Sequence, residues 1–261
     1  MKVLVQDSSG RRTAVVLCSN PVSPDLVARG MRKAKSAKCL LGKELGCVIL
    51  DPIAESSLDG ISYSVLPYRK PLSSNRLLWR LQRWRISPSV LGWLSAATKK
   101  TARALRGQEL EENFVAPLQH LAEMKDATDP IRRAAADTCN RIHGGYWQPR
   151  HVLMHNDLWK GNILIDRNPF GFALIDWPGS RVDGYGIYDL LRLGQSVALS
   201  TSQLRRETEN HCRHLSSEIG DARSHLLAAL AELSTRLEHF PVGNFVRTAT
   251  DCLSTLERMG G

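Results

Sequence analysis

The sequence predicts an α+β protein in two parts: a small mixed lobe of strands and one helix over residues 1–68, then a larger, mainly helical lobe over 69–261. Three observations carry this reading. Up to about residue 66, short β-rich runs and one helical pattern follow the order strand, strand, helix, strand, strand. Most of the remaining chain repeats its apolar residues at helical spacing. Between residues 151 and 193 that spacing gives way to short apolar strands framing polar loops.

The first two strands are expected at 2–6 and 13–18, joined by the turn Asp7-Ser8-Ser9-Gly10. Ser23-Pro24-Asp25 signals a helix start, and the helix runs to about Leu41, before Gly42. Val48-Ile49-Leu50 and Ser62–Leu66 read as two further strands, with Leu58-Asp59-Gly60 as the turn between them. In the second part, Leu77, Leu78, Leu81 and Trp84 share one helical face, and Arg76, Arg80 and Arg83 lie on the other. Pro88 is expected to end that helix, with another from Ser89 to Arg106. Helical patterns also cover about Leu110–Met124, Pro130–His143 and most of 201–259, where Ala222–His239 is strongly periodic and Pro241-Val242-Gly243 breaks it from a last helix. Internal repeats and low-complexity linkers are absent from the sequence.

Composition narrows the class. A hydrophobic share of 43% is enough for a packed core and excludes a disordered chain. No apolar run approaches the length of a membrane span, and the N-terminal MKVLVQDSSG lacks the apolar stretch of a signal peptide. A cytoplasmic protein is expected. The six cysteines form no CxxC pair and read as free buried thiols. His211-Cys212-Arg213-His214 invites a zinc reading, but its surroundings look like an exposed helix and further ligands would be needed. The net charge of +9 is local: residues 69–106 hold ten Lys and Arg and no acidic residue, leaving 25 basic groups against 26 acidic elsewhere.

The chemistry concentrates in Val152–Asp166, VLMHNDLWKGNILID. There Asp157 and Asn162 stand five apart in a glycine-containing loop, and ten residues further on the apolar run Ala173-Leu174-Ile175 delivers Asp176. One carboxylate can orient and deprotonate a hydroxyl. The Asn and the other carboxylate can hold Mg²⁺, a hard cation that shares its shell with substrate phosphates. Phosphoryl transfer asks the protein mainly for positioning and charge neutralisation. Lys160 is a candidate contact for a γ-phosphate, or a solvated loop lysine. Trp159 and Trp177 are candidates for stacking on a substrate, Trp177 reading slightly more as core.

His155-x-Asp157-x₄-Asn162 followed by Ile175-Asp176-Trp177 resembles the catalytic and metal motifs of the aminoglycoside phosphotransferase and choline kinase family. The resemblance is close over about 151–193 and only topological over 2–68. It implies a two-lobed protein-kinase-like fold and an ATP- and Mg²⁺-dependent kinase acting on a hydroxyl of a small molecule or glycan. It also implies roles: Asp157 as catalytic base, Asn162 and Asp176 as metal ligands, His155 as the prop of the loop, and Asp189 as a downstream brace. An adenine ring would meet the hinge near Leu66.

The small lobe departs from the family pattern. The lysine expected for the α- and β-phosphates is missing from Thr13–Cys18, where Leu17 or a neighbour takes its place, and the following helix offers no glutamate in its middle. The glycine-rich phosphate loop is also missing. Either Lys33, Lys35, Lys38 or Lys160 supplies the charge from another direction, or the chain is a kinase-fold pseudoenzyme or binding protein without transfer activity. The basic segment 69–106 falls where the family binds its acceptor. It reads as a solvated basic face, or as a surface for an anionic or lipid-linked acceptor or an anionic membrane, placing the protein at the inner membrane surface; nucleic acid is the weaker partner.

Overall fold

In the computed structural model, which describes residues 1–237 and 241–260, the chain divides into two compact units. The first joins residues 1–97 to 155–182, and the second joins 98–154 to 183–261.

The first unit contains a four-stranded antiparallel sheet of β1 (Lys2–Gln6), β2 (Arg12–Cys18), β3 (Ala54–Leu58) and β4 (Ile61–Pro67), in the order β1-β2-β4-β3. The β1–β2 turn forms as expected, because Asp7 Oδ1 accepts from the N–H groups of Ser9 and Arg11 while Gly10 takes φ 79°. The fourth strand's partner was misplaced by sequence reading. Val48–Leu50 forms no strand, and only Ile49 makes an isolated bridge, to Leu174. The strand is Ala54–Leu58, exposed along its whole length; it is held by backbone pairing to β4 and gives no hydrophobic signal.

Helix α1 (Leu26–Gly46) starts where Ser23-Pro24-Asp25 indicated, but the capping is tertiary. The Asp25 side chain makes no cap bond; instead Ser19 Oγ receives the N–H of Val27 at 2.9 Å and Ser62 Oγ that of Ala28 at 3.2 Å. The helix continues past the expected stop, although Gly42 has non-helical dihedrals of 66° and −177° that an L-residue would resist.

Helix α2 (Arg76–Thr101) replaces the two expected helices and carries Pro88 inside it. Proline lacks the N–H that would pair with the carbonyl four residues earlier, that of Trp84, and the helix continues through it. Asn75 caps the start, its Oδ1 accepting from the N–H groups of Leu77 and Leu78. From Ile86 onward the helix is anchored in the unit: Val90, Trp93 and Ala97 are buried, Trp93 Nε1 donates to Leu45 O at 2.9 Å, and its ring meets Phe172 edge-on. A second small sheet pairs β5 (Lys70–Pro71) with β8 (Ile163–Ile165) and β8 with β9 (Phe172–Leu174). It carries the loops of the candidate site.

The second unit contains β6 (Arg103–Ala104), β7 (Arg150–Met154) and residues of β10 (Arg181–Tyr185), with helices around them. The expected helix at 110–124 is a short turn α3 (Gln108–Leu110), a π-helical segment Glu111–Val115 and α4 (Ala116–Glu123). α5 (Asp129–His143) follows, then α6 (Tyr188–Ser196), α7 (Thr201–His214), α8 (Ala222–Ser234) and α9 (Val242–Gly260). α8 is buried on every side from Leu226 to Ala231, so it is a central helix rather than an amphipathic one. It ends at Ser234, short of the expected His239: residues 235–237 form turns, and 238 and 239 lie outside the described residues.

The cysteine expectation needs correction. All six are free, but only Cys139, Cys212 and Cys252 are buried; Cys39 is exposed and Cys18 and Cys47 are half-buried. The segment around Cys212 is not an exposed helix either. His211 and Cys212 lie on the buried face of α7, where His211 Nδ1 is 3.1 Å from Thr98 Oγ1.

Candidate active site

The loop 155–162 leads into β8, and the loop after β9 delivers residues 175–178, all in the first unit. His155 joins the two. Its imidazole is buried, Nε2 lies 3.0 Å from Ile175 O, and the Asp157 N–H donates to Nδ1 at 3.3 Å. A carbonyl can only accept and an amide N–H only donate, so the ring is the neutral Nε2–H tautomer. Desolvation agrees, pushing the imidazole down to about 4. The ring also packs 4.5 Å from the centre of Trp177, which is buried and donates Nε1 to Leu174 O.

Asn162 closes the loop. A 3₁₀ turn at Lys160–Asn162 turns its side chain back, so that Nδ2 donates at 2.8 Å both to the Asp157 carbonyl and to Asp157 Oδ2. Both bonds use the amide nitrogen, which leaves Oδ1 as the oxygen for another partner. The backbone carbonyl of Asn162 accepts the N–H of Ile175 at 3.1 Å, and this ladder bond places Asp176 one residue further on. Asp176 has φ 71°, a left-handed conformation that costs a non-glycine residue about 1 kcal/mol or more. Its carboxylate is exposed, and among the described residues it makes no side-chain hydrogen bond or ion pair. Gly161 is needed for a local reason. A Cβ there would sit 2.4 Å from the Trp159 ring, which folds over the turn.

Beside Asp176 lies a cavity of about 190 Å³ whose walls include Lys2, Leu17, Met31, Leu66, Leu174 and Asp176. Leu66, the expected hinge residue, is therefore a buried wall residue on β4, paired with Val15. Gly30 of α1 also faces this cavity, and a Cβ there would come within 2.9 Å of Pro178 Cγ. Next along α1, Lys33 Nζ donates to Pro178 O at 2.7 Å. The other candidate lysines have different neighbours: Lys35 pairs with Glu55, Lys38 with Asp51, and Lys160 Nζ lies 5.2 Å from the centre of the Trp79 ring.

The structure thus joins His155, Asp157 and Asn162 by hydrogen bonds, two of which reach the backbone of Ile175, the residue before Asp176, and it places Leu66 and Asp176 on the walls of one cavity. Asp189, the expected brace, is buried in the first turn of α6 in the other unit. Sequence reasoning did not single out Gly30, Met31 or Lys2. Spacing within a motif cannot report that a helix far away in the chain contributes a wall.

Residues 73–224 match the family model of the phosphotransferase enzyme family, APH, and the chain belongs to that family. The solved structures it resembles include a thermostable mutant of aminoglycoside phosphotransferase APH(4)-Ia in apo form, at 13% identity and a TM-score of 0.56 over 98% of this chain and 90% of that one. The GDP and kanamycin complex of APH(2'')-IIIa gives 12% identity and 0.51, covering 100% and 93%. Choline kinase LicA from Streptococcus pneumoniae gives 16% and 0.49, covering 99% and 93%. No curated protein matches. At such identities the first two establish the fold: it is the α+β, protein-kinase-like fold that the motif implied.

Proposed function

We propose that the chain is a cytoplasmic ATP- and Mg²⁺-dependent kinase that phosphorylates a hydroxyl of a small molecule or glycan, one that is anionic or lipid-linked. The observation that carries this reading is the Asn162 clip: one carboxamide nitrogen holds the backbone and the carboxylate of Asp157 at 2.8 Å. Asp157 is thereby held in place while exposed to solvent, as a group that must meet an incoming hydroxyl would be. Its carboxylate orients the hydroxyl and takes its proton as the oxygen attacks the γ-phosphorus and the bond to the leaving diphosphate breaks.

The residues fit a magnesium ion. Asn162 Oδ1 and the Asp176 carboxylate are hard oxygen donors, and Mg²⁺ commonly takes one or two protein oxygens and fills its shell with water and phosphates. Bound there, the ion would neutralise charge on the transferring group. His155 supports the arrangement as a neutral prop and takes no part in proton transfer. Lys160, three residues from Asp157, is the candidate contact for the γ-phosphate, and its contact with Trp79 also suits a purely local role.

For the phosphates closer to the nucleoside, Lys33 is the best supported of the four lysines. Its Nζ is bonded to the carbonyl of Pro178, two residues beyond Asp176. The apolar cavity with Leu66 in its wall suits a purine ring. A cationic acceptor is disfavoured by the ten cations of 69–106, which would repel it.

Measuring ATP turnover with Asp157→Ala and Asp176→Ala tests the proposal; both are expected to abolish it, and wild-type turnover in both would overturn it. The competing reading is a kinase-fold binding protein without transfer activity, favoured by the strand that lacks its lysine. Calorimetry decides between them: failure to detect Mg·ATP binding at millimolar nucleotide would support that competitor.

A further inference from the structure

We propose that the N-terminal half of α2 is a docking surface for an anionic phospholipid bilayer. Four large apolar side chains of this half lie on the surface: Leu77, Leu78, Leu81 and Trp84 are 72%, 53%, 68% and 83% exposed. At 3.6 residues per turn, Leu77, Leu81 and Trp84 fall within a stripe about 60° wide, with Leu78 beside it. Arg76 and Arg80 border the stripe on one side and Arg85 borders it on the other. Among the described residues, none of these three arginines makes an ion pair. From Ile86 onward the same helix is anchored by the buried Ile86, Val90, Trp93 and Ala97, so the exposed stripe is carried on a fixed helix.

The occupant follows from the charge pattern. Residues 69–106 carry ten cations and no carboxylate, so a partner must offer negative charge together with an apolar phase. A bilayer containing acidic lipids offers both within a few ångströms, and Trp at the edge of an apolar stripe suits the headgroup boundary. A second copy of this chain would bring ten more cations against these ten. A polynucleotide would satisfy the arginines but gain nothing from three leucines. This inference does not depend on the proposed kinase activity.

The test is vesicle flotation of the full chain with phosphatidylcholine alone and with a quarter of it replaced by phosphatidylglycerol. Binding to the anionic vesicles is expected to be roughly tenfold tighter or more, and to weaken as salt rises from about 0.05 to 0.5 M. The pair Leu81→Asn with Trp84→Asn and, separately, the triple Arg76→Gln, Arg80→Gln, Arg85→Gln should each lose at least most of that preference at an unchanged melting temperature. A blue shift of tryptophan emission on vesicle binding, absent in Trp84→Phe, reports insertion even if the multiple variants fail to fold. Equal affinity for both vesicles, or wild-type binding by both variants, would overturn the proposal. So would a dimer in solution that the Trp84 substitution dissociates, or binding to polynucleotide that needs the arginines but is indifferent to Leu81 and Trp84 and outcompetes the vesicles.

Discussion

Asp157 is held by hydrogen bonds to His155 and Asn162 of its own loop, and this makes its neighbours testable one at a time. Asn162 donates to its carboxylate through an amide, so Asn162→Asp replaces an attractive contact at 2.8 Å with two like charges. Turnover by Asn162→Asp is expected to fall at least about a hundredfold, read in single-turnover assays that separate chemistry from product release. His155 is a different case. Replacing it with Ala would leave the Ile175 carbonyl and the Asp157 N–H without their present partner, one of them beside the buried ring site. A loss of about 2–3 kcal/mol in stability is expected, measurable as a lower urea midpoint at constant slope. The motif spacing pointed to both residues, but the tautomer of His155 came from its two bonds.

Helix α1 is where sequence and structure differ most usefully. Gly30 looks like an unfavourable residue in a helix, and Gly30→Ala would raise helix propensity by up to about 1 kcal/mol. The new methyl would meet the rigid Pro178 ring at 2.9 Å, and Pro178 follows Asp176 by two residues. Gly30→Ala is therefore expected to leave the melting temperature nearly unchanged while raising the KM for ATP several-fold; loss of stability with normal KM would contradict this. Lys33→Ala should raise the same KM about tenfold, with Lys35→Ala and Lys38→Ala as unaffected controls, since exposed ion pairs contribute little. Other elements failed to read from sequence for related reasons. The strand Ala54–Leu58 is polar throughout because it is exposed and held only by ladder bonds. Pro88 removes one helical bond without ending the helix, whose later turns bury Val90, Trp93 and Ala97.

At the level of the whole molecule, pH acts through buried histidines. His155 and His225 are pushed down to about 4 and His211 to about 3, all chiefly by desolvation, which opposes their charged form. An unfolded histidine titrates near 6.5, so between pH 6.5 and these values the unfolded chain binds more protons than the native one. The stability these groups contribute is present above 6.5 and is lost as pH falls toward 4. Keeping each of these imidazoles neutral contributes on the order of a few kcal/mol, a sizeable part of the stability margin of an ordinary domain. Thermal melts followed by circular dichroism should show the melting temperature dropping steeply between pH 6.5 and 4.5, before carboxylates titrate; a flat profile in that window would be inconsistent with three buried neutral imidazoles.

The candidate site was legible in the amino-acid order because its parts are local: Asp157 and Asn162 are bonded across five residues, and Asp176 lies just beyond a short apolar strand that pairs with the one before it. The α+β class and the first hairpin were legible for the same reason, since turn chemistry and short-range periodicity act within a few residues. What only the tertiary structure decided is what lies across long separations in sequence. Lys33 meets Pro178 across 145 residues, and the cavity gathers walls from β1, β2, α1, β4 and the loop after β9. Exposure was undecidable too, because periodicity marks a face without saying whether anything covers it. The same apolar spacing that buries Trp93 leaves Leu77, Leu81 and Trp84 of the same helix in water.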